Sequence, residues 1–153
     1  MSDSGVAAPP PMVDMDFVVH SAIFVDAPRD VVWPLIVDTN SWFDSQQTRS
    51  VGGPVGKVGE RFHATAAGSN VVALQLENVE LEPGRRRTIR INAPDGTFVG
   101  FSSWALADSA SGTAVTYDVY CRWPMPADTD RDAVLADASS RALANLKVVL
   151  EKK

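Results

Sequence analysis

The chain has 153 residues, with 14 Lys plus Arg against 19 Asp plus Glu, a net charge of -5, and a composition that is 45% apolar and 22% charged. That is one ordinary globular domain, able to bury roughly 68 to 70% of the surface its unfolded form exposes and needing no structural metal, while its single cysteine excludes an internal disulfide. An isoelectric point near 4.9, with no basic block longer than Arg85-Arg86-Arg87, argues against DNA, RNA or anionic lipid as partners, because those depend on clustered cations.

Residues 1–15 contain Pro9, Pro10 and Pro11 and have little to bury, which predicts a disordered leader ahead of a single domain over 16–153. No signal-peptide pattern and no apolar run near the roughly 20 residues of a membrane span is present, so a cytoplasmic location without stable membrane insertion is expected. A first strand is predicted over Phe17 to Val25, rich in residues of high β-propensity. Asp26 then suits a helix cap and Pro28 a first helical turn. The helix that follows holds Val31, Val32, Leu35 and Ile36, and Pro34 predicts that it is short or kinked. Ser41-Trp42-Phe43-Asp44 suggests a second short helix.

Six further strands are predicted: Thr48 to Val51, Arg61 to Ala67, Val71 to Leu81, Arg86 to Ala93, Thr97 to Ala107 and Thr113 to Trp123. Turn clusters such as Glu82-Pro83-Gly84 and Pro94-Asp95-Gly96 separate them, and connectors this short imply antiparallel neighbours. A helix from Asp130 to Leu150, about 31 Å long at 1.5 Å per residue, closes the chain. Leu135, Ala138, Ala142, Leu146 and Val149 form its apolar stripe, flanked by Ser139, Leu143 and Leu150, and only a sheet offers so broad a partner. The expected class is α+β, with a curved antiparallel sheet wrapped around the C-terminal helix.

Several local motifs point the same way. They are Ser21-Ala22-Ile23-Phe24-Val25-Asp26-Ala27-Pro28 leading to Val32-Trp33, Asp38 followed by Trp42, and Val58-Gly59-Glu60-Arg61-Phe62. Later come Leu81-Glu82-Pro83-Gly84-Arg85-Arg86, Trp104, Gly112-Thr113-Ala114-Val115-Thr116-Tyr117, and Ala142-Leu143-Ala144-Asn145-Leu146-Lys147 with Glu151. In this order the chain resembles the START-like superfamily, also called SRPBCC or Bet v 1-like, from Phe17 to Lys153. The resemblance implies a helix-grip fold with a cavity between sheet and C-terminal helix, where members hold lipids, sterols, hormones or polyketide intermediates. Some members act as polyketide cyclases, aromatases or dehydratases, but no catalytic motif is common to them, so fold does not dictate chemistry.

Strand alternation assigns the lining. In the last strand Val115, Tyr117, Val119, Cys121 and Trp123 face inward, against the polar set Thr116, Asp118, Tyr120 and Arg122. The resemblance implies that Val19, Ser21, Ile23 and Val25 face inward as well. Phe98, Ser102, Trp104, Leu106, Ile89, Ile91, Leu74, Leu76, Phe62 and Ala64 join them by the same parity. The candidate ligand-binding set is therefore Val19, Ser21, Trp42, Phe62, Leu74, Ile89, Ser102, Trp104, Tyr117, Val119, Leu135 and Ser139. Tyr117, Ser102 and Ser21 are the candidates for chemistry. Such a lining suits an oily ligand with one or two oxygens.

Cys121 lacks a base on its face, and His20 and His63 fall on outward sets, so neither a thiolate nucleophile nor a zinc pair assembles. No metal or other cofactor is expected. Arg85, Arg86, Arg87 and Arg90 read as a solvated hairpin tip. Trp42 as a lid, a mobile hairpin over Gly53 to Gly59, and the stiff turn Pro124 to Pro126 would border the entrance in the resembling folds. Two functions remain: a monomeric or homodimeric carrier of a hydrophobic small molecule (lipid, isoprenoid or aromatic polyketide), or a polyketide cyclase or dehydratase acting in the same cavity. The lack of an interior His, Asp or Glu favours the carrier.

Overall fold

The computed structural model describes residues 8–40, 42, 46–66 and 69–151, with the backbone alone at 46, 66, 134–136, 138 and 139. Strand β1 (Met12–Val25) leads to helix α1 (Arg29–Val37), then to β2 (Gln46–Gly52), β3 (Arg61–Ala66), β4 (Val72–Glu82), β5 (Arg86–Asn92), β6 (Val99–Ser109) and β7 (Gly112–Pro126). Helix α2 (Arg131–Glu151) follows. The strands form one antiparallel sheet in the order β1-β7-β6-β5-β4-β3-β2. The architecture is the helix-grip α+β fold, and the six later strands lie within three residues of their expected ends.

Several local expectations are corrected. β1 begins at Met12 rather than Phe17, because β7 runs on to Pro126 and supplies partners as far as Met12↔Pro126. Residues 12–15 of the expected leader are therefore strand, and Pro124 to Pro126 are paired strand rather than a free turn. Asp26 does not cap α1. Pro28 holds that position without a side-chain hydrogen bond, and the Asp26 amide donates instead to the Glu151 carboxylate at 3.0 Å. Pro34 lies inside α1, and the helix stops three residues later with the Asp38 amide donating to the Pro34 carbonyl. A nine-residue helix ending there loses one backbone bond rather than a long ladder. Of the expected second helix, only Trp42, in a turn, belongs to the described residues.

Inward parity holds along most of the sheet. Phe17, Val25, Ala64, Leu76, Ile89, Ser102, Trp104, Leu106, Val115, Val119 and Cys121 are buried. Trp123 breaks the rule at 41% exposure, packing edge-on against Phe98 with ring centroids 5.3 Å apart. Parity chooses a face, but only a neighbour can cover it. Phe98 itself precedes β6.

The main core gathers Val25, Val32, Ile36, Trp42, Trp104, Leu106 and Val115 with Ala142, Leu143 and Leu146 of α2, and Trp33, Leu35 and Leu150 pack at its edge. α2 seats chiefly on β1 and touches α1. Val149, expected in its stripe, is exposed. A second, smaller cluster joins Ala64, Leu76 and Ile89 with half-buried Phe62, Leu74 and Ile91 on β3, β4 and β5.

Candidate functional site

Pairing places inward side chains in rows across the sheet. One row reads Ser21, Tyr117, Trp104, Arg87, Leu81, and the next reads Val19, Val119, Ser102, Ile89, Asn78. Trp104 and Tyr117, neighbours in the first row, stack with centroids 3.9 Å apart and planes 15° from parallel. Beside them a cavity of about 60 Å³ is lined by Phe62, Leu76, Ile89, Ile91, Ser102, Trp104 and Tyr117, with Thr39, Thr48 and Arg87 as further polar borders. That inner space holds a few water-sized groups. It shares Thr48, Phe62 and Arg87 with an outer groove of about 380 Å³ bordered also by Val37, Asp38, Asn40, Ser50, Val55, Gly56, Glu60, Asn78 and Leu81.

Phe62, Ile89, Ser102, Trp104 and Tyr117 of the candidate set thus meet at one cavity. Ser21 lies beside Tyr117 in register but does not line it, and neither do Val19, Val119 and Leu74. Trp42 is core: it is 4% exposed, donates its indole N–H to the Leu35 carbonyl at 2.8 Å, and meets Trp104 edge-on at 5.6 Å. The side chains of Leu135 and Ser139 lie outside the described residues.

Burial pushes the Tyr117 hydroxyl up to about 12, against a weaker opposing effect of its hydrogen bond with Ser102. The phenol is therefore neutral and can donate or accept a hydrogen bond, but it does not serve as a base near neutrality. Burial, aided by the charge of Asp16, pushes the Cys121 thiol up to about 11 and leaves it unreactive. His20 is on the convex face, its Nδ1 paired with Asp118. Among the described residues no group of three or more His, Cys, Asp or Glu could hold a metal, and no helix is long and apolar enough to cross a membrane.

Arg87 was not legible as a site residue. Its place beside a hairpin turn among other arginines predicts a solvated tip, yet it shares the parity of Ile89 and Ile91 and is 4% exposed. Its Nε donates to Asn78 Oδ1 at 2.9 Å and its Nη1 to the Ile36 carbonyl at 2.6 Å, while its guanidinium lies over the Phe62 ring at 5.4 Å. Desolvation brings it down to about 10, with the more distant charges of Glu60 and Asp38 acting against that fall, so it is a cation at neutral pH.

The Gly53 to Gly59 hairpin does border the outer groove, through Val55 and Gly56. It is tied down rather than loose. Glu60 accepts from the Gly56 amide at 2.8 Å and from the Ser50 hydroxyl at 2.7 Å, and the Gly59 amide donates to the Asn78 carbonyl at 2.8 Å. Gly53 has φ of 81°, and a Cβ there would meet the Gly59 carbonyl oxygen at 2.2 Å, so glycine is required.

Solved structures share this fold. A protein of Rhizobium leguminosarum superposes with a TM-score of 0.71 at 14% identity, covering 94% of this chain and 99% of that one. Ara h 8.0201 gives a TM-score of 0.65 at 12% identity, with 88% and 95% covered. DynU16, from the dynemicin biosynthetic locus, gives 0.60 at 21% identity, with 88% of this chain and 47% of that one covered. At these identities the likeness speaks to the fold alone. No curated protein matches the sequence. The family described as polyketide cyclase / dehydrase and lipid transport matches residues 16–151, the whole of the sheet from Asp16 onward and α2 to its last residue. With seven antiparallel strands gripping a C-terminal helix and an inner cavity on the concave face, the chain belongs to that family.

Proposed function

We propose that the protein binds a hydrophobic small molecule on the concave face of its sheet, with the bulk of the ligand in the outer groove and one end reaching the Trp104–Tyr117 stack. The observation that carries this reading is the pairing of an apolar inner wall (Phe62, Leu76, Ile89, Ile91) with a few polar groups, the usual chemistry of a small-molecule site. The family description, which joins cyclases, dehydrases and lipid transport, supports the same class of ligand. Binding without turnover is favoured because the titratable groups of the inner cavity, Tyr117 and Arg87, stay far from neutrality, at about 12 and about 10. Contrary to the expectation of no interior carboxylate, buried Glu60 borders the outer groove with exposed Asp38, but both oxygens of Glu60 are taken by the Gly56 amide and the Ser50 hydroxyl. The hydrogen-bonded Ser102 and Tyr117 pair favours the alternative, a cyclase or dehydratase that orients a reactive chain by proton donation.

The fluorescent neutral probe N-phenyl-1-naphthylamine tests this. Wild type should bind it at micromolar concentration, and Ser102→Phe, which fills the inner cavity, should weaken binding at least tenfold while the fold survives. Undiminished binding by Ser102→Phe places the probe elsewhere and sinks the reading. Tyr117→Phe separates the two functions: a carrier keeps its affinity, whereas an enzyme keeps affinity and loses turnover.

A further inference from the structure

β5 carries three arginines, and alternation sends them to different fates. Arg86 and Arg90 point outward and meet Glu80 and Glu77. Arg87 points inward, is buried, and forms no ion pair among the described residues. Its direct contacts are an amide oxygen, a backbone carbonyl and the face of a phenyl ring, all neutral. A buried cation without an adjacent anion is a costly arrangement, and a ligand that supplies the anion relieves it.

The guanidinium is also only partly used. Nε and Nη1 are committed, while Nη2 donates to no atom of the described residues and is not among the sealed, unpartnered polar atoms. Arg87 borders both the inner cavity and the outer groove, the two spaces in which a ligand could meet its uncommitted nitrogen. Two carboxylates share the neighbourhood. Glu60 is buried, with its two oxygens taken by the Gly56 amide and the Ser50 hydroxyl, and Asp38 is exposed and accepts from the Asn40 amide. Neither touches Arg87, but together they repel any anion, a doubly charged phosphate about twice as strongly as a single carboxylate.

We infer that Arg87 is an anion anchor, and that the ligand is an amphiphile carrying a single carboxylate on a small apolar body, its carboxylate on Arg87 Nη2 and its body along Phe62 and the outer groove. This rests on the small-molecule binding proposed above and names the chemical class. Asn78 and the Ile36 carbonyl act as positioning groups that hold the guanidinium plane fixed from two sides. A planar cation so held meets a carboxylate with little further loss of freedom.

The test uses two probes with one body and different heads: 2-naphthoate and the neutral 2-naphthamide, titrated by calorimetry into wild type, Arg87→Met and Asp38→Asn. Wild type should prefer naphthoate at least tenfold. Arg87→Met should abolish that preference, weakening naphthoate by a factor at least ten times larger than any loss it causes for naphthamide. Asp38→Asn, which removes a competing negative charge at the groove, should strengthen naphthoate about threefold relative to naphthamide. Equal affinities for the two probes in wild type overturn the assignment, whether or not Arg87→Met folds, as does a preference that survives in Arg87→Met. If N-phenyl-1-naphthylamine binds and naphthoate does not, the anion anchor fails and the binding site stands. If the neutral probe fails as well, the site itself is wrong.

Discussion

The two halves of the concave face are built from the same alternating strands and end in different states. Across β1, β7 and the adjoining end of β6, the inward side chains meet α1 and α2, and Val25, Val32, Ile36, Val115 and Leu146 are sealed. Across β3, β4 and β5 the same parity builds a smaller cluster in which Ala64, Leu76 and Ile89 are buried while Phe62, Leu74 and Ile91 stay half-buried. The helices cover one half and leave the other bordering open space, so stability is concentrated where ligand access is not. A face of a sheet becomes core or binding site according to what lies over it, with no change in its own pattern.

Stability measurements can break this contrast. Leu146→Ala, at a side chain with 0% exposure in the sealed half, should cost about 4 kcal/mol in urea unfolding, whereas Ile91→Ala should cost about 2 kcal/mol or less. Equal losses would make the open half ordinary core. Trp42→Ala should cost about 3 kcal/mol with the exchange rate of an apolar probe little altered, because the ring packs edge-on against Trp104 and does not roof the groove. Faster exchange at nearly unchanged stability would restore Trp42 as a lid.

A smaller effect tests the boundary between the halves, where Tyr117 stands. Its folded value near 12 is above the ordinary 10, so its neutral form contributes stability that is complete below pH 10 and lost as pH rises through 12. Arg87, depressed to about 10, works in the opposite direction over the same range, but it is common to both proteins being compared. The stability difference between wild type and Tyr117→Phe should therefore shift by on the order of 2 kcal/mol between pH 9 and 12. A flat difference would mean that water reaches the phenol.

How much of this could be read from the sequence depended on periodicity. The strands, the long helix and the inward sets of β3 to β7 were legible because alternation is strict where one face is buried, as at Trp104 and Leu106 or Val115 and Val119. The same rule also contains Arg87, two residues before Ile89, but its charge and its place near a turn mask that parity. Trp42 failed for another reason. Its partners, Leu35 and Trp104, lie 7 and 62 residues away, and no local pattern encodes such a meeting. Trp123 shows the reverse case, in which the parity was right and the covering neighbour was absent.

The pairing of β1 with β7 carries a consequence for how the protein is made. All other neighbouring strands are consecutive in the chain, so β2 through β7 can assemble as successive hairpins as they emerge. β1 must wait. Its register, from Met12↔Pro126 to Val25↔Thr113, spans about ninety to more than one hundred residues, and α2, which seats on β1, is synthesised later still. During translation a fourteen-residue segment bearing Phe17, Val18, Phe24 and Val25 is without its partner strand until β7 has left the ribosome. Nascent chains are then most exposed to aggregation and to chaperone capture at β1, and slowing translation before residue 112 should lower the soluble yield more than slowing it after residue 126.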